Sequence, residues 1–363
     1  MSPSGLHFPT PPRHEIGVGS GHVMTVTGPL PVDQMGVTLM HEHILLDTSS
    51  WWKRPCCASE IAIAEQPMSI EIIGELRMNP FLNRDNCFLL DVDLAMGELN
   101  KFGDLGGHTV VDPTCFGIGR DPEALARISR RTRLNIIMGS GYYLEGSHPD
   151  EVGRMDVDAI AAKIIDDVGG GERQPRIMAG LIGEIGVSKD FTAAERKSLQ
   201  GAARAARVTG VPLSIHLPGW ERLGHEVLDI VEAEGAVLTH TILCHMNPSF
   251  DDKPYQTGLA DRGAFLEYDM IGMDYFYADQ SAQSPSDEEN ARAIRDLVDA
   301  GYANKVLLSQ DVFLKMMLTK YGGFGYGYIL KHFLPRLKRH GLDQAVLDHL
   351  MIANPRRVFT AGL

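Results

Sequence analysis

The sequence has few cysteines and none of the long apolar runs that mark a membrane protein. Its 363 residues include 5 cysteines, an odd number without a Cys-x-x-Cys pair, which argues against a disulfide framework and a cysteine-rich zinc site. No apolar run approaches the ~20 residues that a membrane-spanning helix requires. Residues 1–21 carry proline, histidine and glycine where a signal peptide has an apolar run. We therefore predict a cytoplasmic protein without a membrane partner.

An excess of basic residues is also missing. The chain has 34 Lys and Arg against 47 Asp and Glu, a formal net charge of −13. A nucleic-acid-binding protein would carry a basic patch or stripe, so we predict no nucleic-acid partner. A hydrophobic content of 44% and a charged content of 22% are ordinary for a globular protein. The length permits two domains or one α/β barrel.

Short apolar runs of the strand type alternate with helical patterns along the chain, with a repeat of roughly 30 residues, the size of one strand–helix unit. Residues 193–208 and 290–300 are two of the helical patterns, and a serine and three acidic residues precede the second, as at many helix starts. The predicted strands are residues 37–43, 109–112, 135–143, 177–186, 211–217, 237–245, 264–271 and 305–312.

Eight strand–helix units predict a single (β/α)8 TIM barrel, and continuous apolar strands are typical of a sheet that is covered on both faces. We expect an N-terminal tail at residues 1–24 and the barrel at residues 25–363. An open doubly wound sheet is the alternative. Residues 47–90, between the first strand and its helix, are too long for an ordinary connection and predict an insertion that acts as a lid or has its own structure.

Residues suited to metal binding stand at the carboxyl ends of the predicted strands, where the active sites of such barrels lie. They are His41, His43, Glu184, His216, His245 and Asp311. The first two are two residues apart on one strand and therefore share a face. Glu184, His216 and His245 are spaced one repeat length apart, and Asp311 follows two repeat lengths after His245. We therefore predict that all six side chains converge at the mouth of the barrel.

Four imidazoles and two carboxylates suit a pair of borderline divalent ions, with Zn²⁺ the first choice and Mn, Co or Ni as alternatives. Two such ions, ~3.5–4 Å apart, share a hydroxide that attacks an electrophile. In this arrangement Asp311 accepts the proton of the hydroxide and delivers it to the leaving group, which makes it the predicted catalytic residue. The alternative from another class is a non-catalytic metal-binding barrel.

An ordered set of motifs supports this interpretation: GPLPVDQMGVTLMHEH, VVDPTCFGIGRD, LIGEIG, IH, CH and SQD. From about Val26 to Phe359 the chain resembles the phosphotriesterase family of the amidohydrolase superfamily, and most closely its phosphotriesterase-related branch. The resemblance implies a homodimer and two ligand sets bridged by Glu184: His41, His43 and Asp311 for one ion, and His216 and His245 for the other. A deaminase-like member of the superfamily with one metal is a further alternative.

Three departures from the family pattern affect the expected reaction. Members that cleave phosphotriesters carry a carboxylated lysine where this chain has Glu184. Their proton relay runs through a histidine and an aspartate at positions that correspond here to Met270 and Pro248, neither of which carries a proton. The arginine usual in lactonases at the Met270 position is absent as well. We therefore expect a small-molecule substrate with an N-acyl amide, lactone or carboxyl ester bond, and phosphotriester hydrolysis is the alternative.

Three residues are candidates for substrate binding. By the resemblance, Tyr143 faces the substrate and Met270 occupies the specificity position on strand seven, although Tyr143 also suits a core position. Arg222 follows the His216 strand and can pair with an anionic group, although a solvated charge at a helix start is the plainer interpretation. Residues 272–286 and 316–328 are rich in aromatic side chains, which predicts a roomy apolar pocket. Cys244 is expected to pack away from the site.

Overall fold

The computed structural model describes residues 21–169, 171, 177–278 and 280–360, and its central element is an eight-stranded parallel sheet. In chain order the strands are β1 (His22–Thr25), β2 (Gly28–Pro31), β3 (Thr38–Leu39), β4 (Leu46–Asp47), β5 (Phe88–Leu89), β6 (Thr109–Asp112), β7 (Asn135–Ser140), β8 (Leu181–Gly186), β9 (Leu213–His216), β10 (Thr241–Leu243), β11 (Phe265–Tyr268), β12 (Phe276–Tyr277), β13 (Ala282–Gln283) and β14 (Val306–Leu308). The sheet runs β3-β6-β7-β8-β9-β10-β11-β14, so each strand lies beside the next one in sequence.

Helices follow every strand of this sheet. They are α1 (Ala58–Glu65), α2 (Ile73–Met78), α3 (Val92–Asp104), α4 (Pro122–Thr132), α5 (Val157–Asp167), α6 (Ala193–Thr209), α7 (Gly224–Ala233), α8 (Lys253–Asp261), α9 (Asp287–Asp299), α10 (Leu334–Arg339), α11 (Gln344–Asp348) and α12 (Asn354–Thr360). The two ends of the sheet meet beyond β3 and β14, where the Asp311 amide donates to the His41 carbonyl at 3.0 Å and the His43 amide donates to the Val312 carbonyl at 3.3 Å. The predicted (β/α)8 barrel is confirmed, and an open sheet is excluded.

All eight barrel strands fall within the predicted apolar runs but are shorter than most of those runs. Residues are missing at both ends of the runs, and somewhat more of them at the carboxyl ends, where the chain leaves the ladder and turns into the loops of the barrel mouth. The helix predictions are close: α6 ends at Thr209, and α9 begins at Asp287 behind a capping box of Ser286 and Glu289. Within the described ranges, no helix has the length and apolarity needed to cross a bilayer.

The interior of the barrel is filled by side chains that successive strands contribute. Val111, Ile137, Leu181, Ile242, Phe265 and Leu307 form this cluster together with Val23, Met35 and Met40. All of these residues are at most 5% exposed. The larger core cluster lies between the barrel and its helices. The barrel is therefore a packed core, and chemistry is restricted to its mouth.

An antiparallel hairpin of β1 and β2 precedes the barrel and packs against it. Val23 belongs to the interior cluster, and the Val26 amide donates to the Ile136 carbonyl at 2.9 Å. The predicted boundary between residues 24 and 25 falls inside β1, so the hairpin belongs with the barrel rather than with a tail. Residues 1–20 of the predicted tail lie outside the described residues.

The long insertion after the first barrel strand has its own structure. Strands β4 and β5 pair antiparallel at its base, with Leu46 opposite Leu89, and the segment between them contains α1 and α2. The exposed Cys56 and Cys57 are free thiols at the start of α1. The insertion is thus a small subdomain attached by a two-stranded stem.

The capping box of α9 provides a test of the local structure. Ser286 accepts a hydrogen bond from the Glu289 amide, and loss of a serine cap costs about 1 kcal/mol. We expect Ser286→Ala to lower the free energy of unfolding by this amount in urea denaturation. Ser286→Asp should retain most of the parent's stability, because aspartate also caps helices. An alanine variant as stable as the parent would contradict the assigned helix start.

Candidate metal centre

The six predicted ligands lie together at the carboxyl ends of the barrel strands. Glu184 lies in β8 and His216 ends β9, whereas the other four stand two to four residues beyond the ends of β3, β10 and β14. All but His216 are at most 8% exposed, and His216 is only partly exposed. The structure therefore shows the convergence that the repeat spacing predicts.

One group of donors gathers around Asp311. Its Oδ1 atom lies 3.4 Å from His43 Nε2 and 3.7 Å from His41 Nε2. Thr114 Oγ1 lies 2.8 Å from His43 Nδ1, the opposite ring nitrogen, and thereby orients Nε2 towards the site. Two imidazole nitrogens and one carboxylate oxygen can hold one ion.

Glu184 lies between this group and the second pair of histidines. Its Oε1 atom is 3.2 Å from His43 Nε2 and 3.6 Å from His41 Nε2. Its Oε2 atom is 3.2 Å from His216 Nδ1 and 3.5 Å from His245 Nε2. The two oxygens thus face different histidine pairs, which is the arrangement a bridging carboxylate requires.

The donor atoms are spaced for coordinating metal ions rather than for hydrogen bonds among themselves. His41 Nε2 is buried and has no hydrogen-bond partner, although two carboxylate oxygens are close by. Two donors that each lie ~2.0–2.2 Å from one tetrahedral ion are about 3.3–3.6 Å apart, and most of the nitrogen–oxygen distances given above are near this range. The residues present therefore fit a divalent cation.

The electrostatics of the cluster also favour positive charge. Although burial alone would lower it, the pKa of His245 is raised to about 10, chiefly by Asp269 and Glu184. Burial opposes ionisation of Glu184 as well, yet His41 and the other histidines hold the pKa of this carboxyl well below its usual value. Burial and the neighbouring His245 lower the pKa of His216, whose Nδ1 lies 2.7 Å from His245 Nε2. These two ring nitrogens both face the site, and metal binding would replace the contact between them.

Two buried carboxylates behind the histidines were missed in the sequence. Asp269 lies 3.1 Å from His245 Nδ1 and 3.4 Å from His41 Nδ1, so it contacts one histidine of each pair. Glu267 Oε2 lies 3.2 Å from His41 Nδ1. Carboxylates in this position orient ligand imidazoles and raise their basicity. The only sequence signal was the acidic pattern of the predicted strand that contains both residues.

The expectation for Cys244 was wrong in one respect. The residue is buried, as predicted, but its thiol lies with His41, Glu267 and Asp269 in a group whose candidate donor atoms are within 4.8 Å of one another. The chain leaves β10 at Leu243, and His245 has a positive φ of 58°, so alternation along a regular strand no longer holds here. Cys244 therefore lies beneath the histidines rather than away from them.

Comparison with known proteins agrees with this geometry. The model of the phosphotriesterase family matches residues 21–359. The chain belongs to the phosphotriesterase family. A phosphotriesterase-related protein of Nematostella vectensis is 34% identical over 94% of this chain and 99% of its own length. An N-acetyltaurine hydrolase of Tetraodon nigroviridis is 35% identical over 94% and 98%, respectively. The predicted family and hydrolase class are thereby confirmed.

A solved structure is more similar still. The resiniferatoxin-binding protein from Rhodobacter sphaeroides is 57% identical to this chain and superposes with a TM-score of 0.94. The superposition covers 96% of this chain and 97% of the other. At this coverage the two proteins share the arrangement of the backbone over nearly the whole of both chains.

The three candidate substrate residues occupy different environments. The Tyr143 hydroxyl lies 3.4 Å from His216 Nδ1, directly beside the site. Met270 is buried, and its amide donates to Asn247 Oδ1 at 3.0 Å. Arg222 is exposed, and its Nε donates to Asp252 at 3.0 Å. Their roles in binding stay predictions, with Tyr143 the nearest to the ligands.

Aromatic side chains from several loops pack over this end of the barrel. Phe81 of the insertion stacks on Trp51 with ring centroids 5.3 Å apart, and it lies 6.0 Å from Phe313 and 6.3 Å from Tyr277. The cavity of about 220 Å³ is lined by residues of both aromatic-rich segments, among them Tyr275, Phe324 and Tyr328, and none of the six predicted ligands lines this cavity or the one of about 270 Å³. Tyr326, expected in a specificity loop, instead turns inward and donates to the His43 carbonyl.

Metal content tests the donor set. We expect two divalent ions per chain by mass spectrometry after loading with Zn²⁺, because two groups of donors share Glu184. Glu184→Ala should lower this number, since it removes an oxygen from each group. An unchanged single ion in both proteins would favour the mononuclear alternative.

Asp269 offers a second test, because it contacts a histidine of each pair. We expect Asp269→Asn to lower the affinity for both ions about 10–100-fold in chelator competition, the usual effect of removing a hydrogen-bond partner of a metal ligand. Asp343→Asn, at the exposed cap of α11, is the control and should leave the affinity unchanged. A loss confined to one ion would contradict the shared role.

Proposed function

We propose that this protein is a binuclear metal-dependent hydrolase that cleaves an N-acyl amide, a lactone or a carboxyl ester. The observation that supports it most directly is the position of Glu184, whose two oxygens face separate histidine pairs. The names of relatives as N-acetyltaurine hydrolases support the amide among these bonds.

The metals are proposed to be Zn²⁺, since four imidazoles with carboxylates suit it, and Mn, Co and Ni are the alternatives. His41, His43 and Asp311 would hold one ion, His216 and His245 the other, and Glu184 both. When bound, such ions polarise the scissile carbonyl and promote ionisation of water.

Asp311 is proposed to move the proton. Burial raises its pKa well above the usual value, although His41 and His245 oppose this. A carboxyl whose burial favours the protonated form can accept a proton and later release it, as general acid–base catalysis requires. Its Oδ atoms would accept the proton of the attacking water and return it to the leaving oxygen or nitrogen.

The substrate is proposed to carry an apolar or aromatic group. Phe313 is two residues from Asp311, and Trp220 is four residues from His216, so aromatic rings follow ligands in two loops. Trp220 and Tyr277 lie 5.5 Å apart and continue the ring cluster of the insertion. The cations of nearby loops are paired, Arg222 with Asp252 and Lys315 with Asp85. Ring contacts therefore offer more binding energy than charge pairing.

Phosphotriester hydrolysis is the second candidate, because the family model bears that name. Met270 and Pro248 give it no proton relay of the kind that those enzymes use. We also propose a cytoplasmic homodimer; the free and exposed Cys56 and Cys57 suit a reducing compartment.

Turnover of a substrate panel tests the reaction. We expect the Zn²⁺-loaded protein to hydrolyse at least one of a set of N-acyl amides, lactones and aryl esters, and Asp311→Asn to lower kcat about 100-fold or more, within the range of acid–base contributions. Asp156→Asn, at a helix cap, is the control. Hydrolysis of phosphotriesters alone would replace the first candidate by the second, and full activity of the Asp311 variant would contradict the proposed proton transfer.

The aromatic cluster supports a separate prediction about specificity. Phe81→Ala should raise KM for aryl esters about tenfold while altering KM for the acetyl analogue little, because only the larger group reaches the rings. Tyr302→Ala is the control, since that ring precedes β14 at the amino end of the barrel and its hydroxyl donates to Asp261 instead. Equal losses for both substrates would contradict an aromatic subsite.

A further inference from the structure

The residue between the two strand-one histidines has an unusual set of contacts. Glu42 is fully buried, and its side chain reaches from the end of the first barrel strand to the end of the last. Oε1 accepts from Ser309 Oγ and from the Gln310 amide, both at 2.8 Å, and Oε2 accepts from the Val312 amide at 2.9 Å. Both oxygens are therefore occupied by donors of one short segment.

These bonds flank Asp311 on either side. The Gln310 and Val312 amides point to Glu42, and the Asp311 amide between them donates to the His41 carbonyl. Three consecutive amides are thus held by the His41–Glu42 pair. The backbone of Asp311 cannot rotate without breaking them.

Asp311 needs such support because its backbone is strained. Its φ of 46° lies in the left-handed region, which non-glycine residues adopt only where surrounding contacts impose it. This conformation directs the carboxylate towards His41 and His43. A relaxed backbone would turn it elsewhere.

The hydrogen bonds of Glu42 also join the first and last strands of the barrel. The strand ladder runs from β3 around to β14, and those two strands share no ladder pairs in the described sheet. Contacts beyond the strand ends join them, and the carboxylate of Glu42 is at their centre. Burial raises the pKa of Glu42 to about 8, whereas the three donors favour the carboxylate.

We infer that Glu42 is a positioning residue that fixes Asp311 for metal binding and proton transfer. The His-Glu-His segment then supplies two ligands, His41 and His43. Its middle residue, Glu42, orients a third ligand, Asp311. This inference rests on the proposed function, because it assigns Asp311 a role at the metal ions. It predicts that Glu42 acts through Asp311 and not through stability alone.

Glu98 provides a matched control for a purely structural carboxylate. It is also buried, and it accepts from the Thr319 amide, Thr319 Oγ1 and the Lys320 amide, again in the loop after β14. These partners include none of the predicted ligands. Glu98→Gln should therefore lower the melting temperature without altering metal affinity.

The test is a double-mutant cycle of Glu42→Gln and Asp311→Asn, with Zn²⁺ affinity in chelator competition as the readout. The side-chain amide that Glu42→Gln introduces would place an NH2 group against a backbone N–H and so release Asp311. We expect about a tenfold loss or more in affinity for one ion, the range seen for partners of metal ligands, and a matching loss in kcat with little change in KM. In the Asp311→Asn background the same substitution should cost less than about twofold, since interacting sites are non-additive.

The outcomes separate the two claims. Wild-type protein that binds no metal would overturn the proposed function, and with it this inference. If Glu42→Gln leaves metal affinity unchanged, or if the affinity losses of Glu42→Gln and Asp311→Asn are additive in the double variant, the inference is overturned and the proposed function is not. If Glu42→Gln does not fold, Glu42→Asp keeps the carboxylate but shortens its reach to the Gln310 and Val312 amides: a weaker loss in the same ion supports the positioning role, and unchanged affinity excludes it.

Discussion

Burying several carboxyl groups within a few ångströms of one another is tolerable only if positive charge stands among them or some of them are protonated. Glu184, Asp269, Glu267 and Asp311 are all at most 8% exposed. Isolated buried charges cost several kcal/mol or more each. Without metal, protons on His41 and His245 supply the balancing charge, which is why the pKa values of both residues are raised although burial opposes this. Two divalent ions would supply it permanently and release those protons.

The fold provides the positions at which this charge balance operates. Parallel strands deliver their ends to one mouth, and the packed interior below leaves little room for solvent behind the ligands. The backbone departs from regular geometry where ligands must point inward, with positive φ at His245 and Asp311. The side chain of Glu42 then joins the first and last strands where the ladder ends. At Asp311 strain and closure therefore occur together, and buried hydrogen bonds offset the cost of both.

The sequence predicted where the candidate ligands lie, because their positions depend on the period of the strand–helix units. Strand ends recur with that period, so His216 and His245 could be assigned to the mouth without coordinates. Asp269 and Glu267 were missed because their contacts depend on where the chain leaves the strand and on the twist of neighbouring strands. Cys244 was misplaced for the same reason, since alternation fails at a residue followed by a positive φ. The hairpin at β1 was assigned partly to a tail because two strands of four residues carry too weak a pattern.

The most direct test of a binuclear centre is anomalous diffraction from crystals of the Zn²⁺-loaded protein. Two peaks are predicted at the mouth of the barrel, one against His41, His43 and Asp311 and one against His216 and His245, with Glu184 in contact with both. A single peak among His41, Cys244, Glu267 and Asp269, with the remaining histidines free of metal, would contradict it.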